Sequence, residues 1–174
     1  AFTRAAADAP IRIVSSDKDL AQLVDDRVHM LSPAAGNAGF EERGVAEIVG
    51  KFAVPPALIV DYLALIGDNS DNIPGVPGIG PKSAAQLLTQ FGPIESWIDH
   101  PERLAGSKFE KKLAGTAELL QRNRKLIRLR EDLPPRFRDF GTLLRRKEPD
   151  WEKIASLCRE YELKSILKEL PEPA

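Results

Sequence analysis

Between two apolar helical patterns the chain runs Gly67-Asp68-Asn69-Ser70-Asp71-Asn72-Ile73-Pro74-Gly75-Val76-Pro77-Gly78-Ile79-Gly80-Pro81-Lys82-Ser83-Ala84, and no other stretch restricts the fold so tightly. Gly78 and Gly80 can take φ > 0 and carry no Cβ, so the backbone can turn sharply there and approach a ligand closely. Pro81 suits the first position of a helix running to about Gln90. The free N–H groups and positive dipole end of that helix then lie just behind the glycines, with Lys82 and Ser83 in its first turn, which is an anion site built largely from backbone. A capped turn between two helices would explain the glycines and prolines without any ligand. Asp68 and Asp71 weigh against that simpler account. On a helical turn their spacing places both carboxylates on one face, where like charges repel unless a cation compensates them.

A length of 174 residues with 43% hydrophobic content is enough for one ordinary domain or two small ones with a real core, and excludes a disordered chain. The formal net charge of −1 argues by itself against nucleic-acid binding, but the charges are unevenly placed. Residues 1–100 hold 7 Lys/Arg against 13 Asp/Glu, residues 101–149 hold 14 against 7, and residues 150–174 hold 4 against 6. An acidic first part followed by a basic middle is what a metal site beside a phosphate-tracking surface would produce, although solvated charged helices produce it too. Cys158 is the only cysteine, which excludes an intrachain disulfide and a cysteine-based zinc site, and its helical setting suits a small buried residue. No apolar run reaches transmembrane length and no signal-peptide pattern is present, so the expectation is a soluble cytoplasmic protein with no membrane partner.

Taken in order, residues 1–10 resemble the last turns of a helix ending at Pro10. Ile11-Arg12-Ile13-Val14-Ser15 alternates as a short strand and leads through Ser16-Asp17-Lys18-Asp19 into a helical pattern from Leu20. Acids at such a strand end stand where open α/β sheets gather ligand groups. One of Asp17 and Asp19 can be a helix N-cap; two caps are not needed, so at least one acid remains to be explained. Val28–Ser32 suits a second strand, residues 33–40 a turn region, residues 42–52 a helix, and Pro55-Pro56 the opening of another helix to Ile66. His29 has no neighbouring ligand-type residue at metal spacing and reads as structural or exposed. Trp97 reads as core, and His100 carries no evident chemistry. Lys108–Arg130 reads as one long helix, with Lys108, Lys111 and Lys112 at its N-terminal end, where they oppose the helix dipole and suit an external anion better. A connector with a basic patch at Arg145-Arg146-Lys147 follows, and residues 151–170 read as an amphipathic helical pair or one bent helix.

Ile13-Val14-Ser15-Ser16-Asp17-Lys18-Asp19-Leu20-Ala21-Gln22-Leu23-Val24, Val54-Pro55-Pro56 and the stretch from Asp61 through Ala84 together resemble the flap endonuclease or 5′-nuclease family. The likeness is nearest to the 5′→3′ exonuclease domain of bacterial DNA polymerase I and its stand-alone relatives, and covers roughly residues 1–130. Leu157 to Leu167 more loosely resembles the region leading from that domain toward the polymerase. The resemblance implies a mostly α fold with a small α/β remnant: part of a 5′-nuclease (PIN-like) core at residues 1–32, and a helical DNA-binding subdomain at 33–130. Within the latter lies a helix-three-turn-helix (helix-hairpin-helix) element at 68–90, and a connector (131–150) and a helical tail (151–174) follow. It also implies Asp17, Asp19 and Asp68 as catalytic ligands of the second of two divalent ions, Mg²⁺ or Mn²⁺, with Asp71 a ligand or an outer partner. Backbone around Gly78 and Gly80, with Lys82 and Ser83, would hold a duplex phosphate, carbonyls of Val76 and Ile79 a monovalent cation such as K⁺, and Lys108, Lys111 and Lys112 would track the duplex. In-line phosphodiester hydrolysis benefits from two such ions about 3.5–4 Å apart, and sparse carboxylates suffice for Mg²⁺.

Family members place further acids, for the first metal, and a basic helical arch upstream of the equivalent of Ile11, where this chain has ten residues. The expectation is therefore the C-terminal half of a bacterial, nucleoid-associated 5′-nuclease acting on duplex DNA with a 5′ flap or 5′ end in replication and repair. It would have little or no activity alone, its parent could carry a polymerase domain, and its incomplete sheet invites self-association. The alternatives are a non-catalytic helix-hairpin-helix DNA-binding module, which has no use for Asp17 and Asp19 together with Asp68, and a purely structural or interaction role.

Overall fold

The computed structural model describes residues 10–34, 39–130, 132, 134, 145 and 147–171. Residues 1–9 of the helix end expected at 1–10, the middle of the turn region at 33–40, most of the connector and Arg146 of the basic patch lie outside the described residues. By contacts the chain divides into two units, Ala1–Leu133 and Pro134–Ala174.

In the first unit, β-branched residues form β1 (Ile11–Val14), which pairs in parallel with β2 (Val28–Pro33), Ile11 opposite Val28. A short 3₁₀ helix, Lys18–Leu23, makes the crossover. On the other side of β2 lies antiparallel β3 (Phe40–Arg43), Met30 opposite Arg43. The turn-and-helix expectation for residues 33–52 missed β3, whose residues are exposed or half-buried and carry no alternating apolar signal. Pairing with β2 supplies what the pattern lacks. His29, read as structural or exposed, is half-buried and meets Glu42 across this pair, its Nδ1 2.8 Å from the carboxylate, and Arg12 reaches the same group at 3.2 Å.

Helix α1 (Val45–Phe52) begins after Gly44, whose N–H donates to the Glu47 carboxylate, and Pro56–Leu58 forms a 3₁₀ turn leading into α2 (Ile59–Ile66). A hairpin of two-residue strands, β4 (Gly67–Asp68) and β5 (Ile73–Pro74), follows. Then α3 (Pro81–Phe91) starts with proline at its first turn and stops at Gly92, as the sequence predicts. The long helix expected over 108–130 is instead α4 (Glu110–Leu113) and α5 (Ala117–Ile127). They are separated at Gly115, whose φ of 72° is the left-handed conformation that ends a helix.

One buried cluster runs from Ala21, Val24 and Met30 through the faces of α1, α2 and α3 to Leu120 and Ile127, with Trp97 inside it. The Gln22 amide fastens the crossover to the end of α5, donating to the Ile127 carbonyl and accepting from the Leu129 N–H. In the second unit, α6 (Trp151–Glu160) is capped by the Asp150 carboxylate and turns into α7 (Lys164–Glu169), a helical pair with Cys158 buried. No single helix among the described residues is long and apolar enough to cross a membrane.

Candidate metal centre and glycine hairpin

The crossover and the β4–β5 hairpin bring three carboxylates together: Asp19, Asp68 and Asp71 each offer an oxygen, and these lie within 4.8 Å of one another. Asp68 and Asp71 are held by an extended hairpin rather than by the helical turn that their spacing suggested. Asp68 ends β4 and its carboxylate accepts the Ser70 N–H at 2.9 Å, an Asx turn that bends the chain so that Asp71 returns toward it; Asn72 then takes φ 55°. Asp17 is not part of this trio. Its Oδ1 accepts the N–H of Asp19 at 3.0 Å, capping the crossover helix, so the two acids of the Asp-Lys-Asp run divide the roles between cap and cluster.

The electrostatics differ at each acid. Asp68 is only 3% exposed and is gripped by Lys18, Nζ to Oδ1 2.6 Å, which with the Ser70 N–H holds its carboxyl below the usual carboxylate range despite burial. The same contact raises the Lys18 ammonium above its ordinary value. Asp19 is shifted the other way, first by burial and then by the negative charges of Asp17, Asp68 and Asp71. Among the described residues, one oxygen of Asp19 is buried with no hydrogen-bond partner. A half-buried carboxylate with an orphaned oxygen, facing two further acids, is the donor set a hard divalent cation takes, so the residues fit such an ion.

The chain leaves the acidic turn through a very close crossing. A Cβ on Gly75 would lie 2.3 Å from the Ile66 carbonyl, and one on Gly67, at φ 80°, 2.4 Å from the Gly75 nitrogen. Of the two glycines expected to bend the backbone, only Gly78 takes a positive φ, 76°. Gly80 is extended, and a Cβ there would meet nothing within 4 Å, so the space before α3 is open. Lys82 is exposed and Ser83 half-buried in the first turn, and Pro81 has no N–H, which leaves the N–H groups of Lys82 and Ser83 free to meet an anion. Val76 and Ile79 are buried, and the Val76 carbonyl accepts the Ile79 N–H at 3.0 Å. Lys112 reaches the bend itself, its Nζ 2.9 Å from the Gly78 carbonyl, and Lys108 reaches Gln86 of α3 at 2.5 Å. Lys111 is exposed on α4. Sequence reasoning did not single out Lys18, although a cation between two acids was a signal, nor Asn123, a polar residue on an apolar stripe.

Asp19 on the crossover meeting Asp68 and Asp71 of a hairpin, followed at once by a glycine bend and a proline-started helix, defines a mostly helical protein with an acidic cluster that could hold a metal. Residues 54–152 match the family described as 5′-3′ exonuclease, C-terminal SAM fold, and the chain belongs to that family. The 5′-3′ exonuclease of Aquifex aeolicus is 37% identical over 161 residues, 92% of this chain and 52% of that protein. DNA polymerase I of Rhizobium leguminosarum is 38% identical over 129 residues, 74% of this chain and 12% of that protein. The chain thus spans about half of the one and a small part of the other. Among solved structures, bacteriophage T5 5′-exonuclease with bound zinc superposes with a TM-score of 0.63 at 26% identity, covering 72% of this chain and 45% of that one. A T5 flap endonuclease complex with DNA and metal ions superposes at 0.59 and 27%, covering 68% and 42%.

Proposed function

We propose that this chain is the metal-holding and duplex-gripping half of a 5′→3′ exonuclease or flap endonuclease, acting on 5′ ends or flaps of DNA by metal-dependent phosphodiester hydrolysis. The observation that carries this reading is the convergence of Asp19 of the crossover with Asp68 and Asp71 of the loop that runs directly into the glycine bend and α3. A 5′-nuclease needs those two devices close together, and T5 relatives of this fold have been solved with zinc and with DNA and metal ions.

In this reading Asp19, Asp68 and Asp71 hold Mg²⁺ or Mn²⁺, and Asp17 orients the Asp19 backbone. A bound divalent ion supplies charge stabilisation at phosphate oxygens and lowers the pKa of a bound water. Lys18 keeps the Asp68 carboxylate ionised and ready to ligate. The Lys82 and Ser83 N–H groups and the dipole end of α3 take a duplex phosphate, flanked by the ammonium groups of Lys82, Lys108, Lys111 and Lys112. Carbonyls at Val76 and Ile79 retain acceptor capacity for a monovalent cation such as K⁺. The chain spans about half the length of the Aquifex aeolicus exonuclease, so the part assigned to these residues is the binding of metal and duplex within such a nuclease.

Two measurements test this. Titration of the chain with Mn²⁺, followed by the electron paramagnetic signal of free Mn²⁺, is expected to show a site that Asp68→Ala weakens more than about tenfold, because even the hydrogen-bond partners of metal ligands cost 10–100-fold. Affinity for a 5′-flap duplex is expected to fall with salt, and Lys82→Ala to reduce the slope of log K against log salt by about 0.9, one phosphate contact. Duplex binding with no Mn²⁺ site would leave a non-catalytic helix-hairpin-helix module, and salt-independent binding would sink both readings.

A further inference from the structure

Helix α5 carries its buried stripe on Leu120, Asn123 and Ile127, and the middle residue is an amide where the periodicity asks for an apolar side chain. Asn123 is 0% exposed. A buried amide is costly unless it is hydrogen-bonded, so its bonds show what it is there for. Both hydrogens of Nδ2 are spent on backbone carbonyls on either side of the acidic turn: Ala64 of α2 at 3.0 Å and Pro74 of β5 at 2.7 Å. Its Oδ1 is buried with no partner, so the side chain serves as a donor only.

Ala64 lies in the last turn of α2, where carbonyls have no intrahelical partner. The carbonyls on either side of it are taken by the chain itself: Leu63 accepts the Gly67 N–H, and Leu65 accepts the Val76 N–H at 2.8 Å. Ala64 depends on Asn123. Pro74 stands at the other end of the same excursion, on β5, opposite Gly67. One amide therefore ties the end of α2 to β5, the two ends of the excursion that carries Asp68 and Asp71. The next residue, Arg124, grips Asp61 of α2 at 2.7 Å and so fixes α5 against the helix that launches the hairpin.

We infer that Asn123 is a positioning residue of the metal centre, setting the separation of Asp68 and Asp71 by clamping both ends of their loop from a helix remote in sequence. The inference rests on the metal-centre reading above. Its test is Mn²⁺ binding by the full chain in wild type, Asn123→Leu, Asn123→Ser and Leu120→Ala. Leu120, one turn earlier on the same stripe, borders the cavity beside Trp97 and Leu113, so its truncation is a control for general loss of stability. Asn123→Leu is expected to weaken Mn²⁺ binding about 10-fold or more, the scale of losses at partners of metal ligands, and to speed amide exchange at residues 67–76. Asn123→Ser, which keeps one donor and guards against a Leu variant that does not fold, is expected to fall between. Leu120→Ala is expected to lower the melting temperature and leave the Mn²⁺ affinity unchanged. Wild-type affinity in both Asn123 variants, or equal weakening in Leu120→Ala, would overturn the inference while leaving the metal centre standing. Absence of Mn²⁺ binding in the wild type would overturn the metal centre and the inference with it.

Discussion

Replacing Gly75 by alanine is expected to lower the stability of the first unit by about 3 kcal/mol and to abolish Mn²⁺ binding at the proposed metal site. The added Cβ would sit 2.3 Å from both the carbon and the oxygen of the Ile66 carbonyl. These are backbone atoms at the end of α2, which cannot rotate away as a side-chain tip could. Overpacking typically costs about 1–3 kcal/mol, and a clash with main chain belongs at the upper end. Relief requires β5 to move off β4, and Asp68 ends β4 while Asp71 lies in the turn that joins the two strands. Gly67→Ala is expected to act alike, with a further penalty for its φ of 80°. Gly50→Ala is the control, because nothing lies within 4 Å of that Cβ and the residue is inside α1; it is expected to stabilise by about 0.5–1 kcal/mol. Thermal unfolding by circular dichroism with parallel Mn²⁺ titration reads both effects. A Gly75→Ala protein that melts and binds metal like wild type would show that the crossing has room the geometry denies it.

Arg124→Met is expected to destabilise by about 3–5 kcal/mol, the cost of stranding a buried charge. Asp61 is 4% exposed, and its two oxygens are fully committed: one accepts from Arg124 Nε at 2.7 Å, the other from the Ile94 N–H at 2.8 Å. The same guanidinium also pairs with Glu95, whose carboxyl it holds below the ordinary range, but Glu95 is mostly exposed and contributes little. Removing the arginine leaves the Asp61 carboxyl without its cation in the core between α2 and the segment after α3. Removing both partners, in Asp61→Leu with Arg124→Met, is expected to cost less than the sum of the single changes. The remainder is the Ile94 N–H left without an acceptor, about 1–3 kcal/mol. Denaturant melts of the four proteins form a double-mutant cycle, and additive effects would rule out a coupled pair.

Much of the site could be read before any fold was known. Pro81 and Gly92 bracket α3 by local chemistry, the fixed φ of one and the positive φ of the other, and neither needs a distant partner. Asp68 and Asp71 were legible as a pair because only a few residues separate them, although the conformation joining them was not: an Asx turn in a hairpin satisfies the same spacing as a helical turn. The division of labour between Asp17 and Asp19 was open, since either can cap a helix, and the approach of the β4–β5 hairpin decides which carboxylate faces other acids. The break at Gly115 was hidden by an apolar spacing that fits one helix or two.

By itself the sequence determined the family, the mostly helical character, the acidic turn, the glycine bend and the helix behind it, because each is written in neighbouring residues with strong local preferences. Only the tertiary structure decided that Lys18 grips Asp68, that Asn123 bonds the backbone on either side of the acidic turn and that Asp61 is buried against Arg124. Those contacts join residues about 50 or more positions apart, and their stability comes from burial. A charged or amide side chain looks the same in sequence whether it ends in water or in the core, and packing settles which.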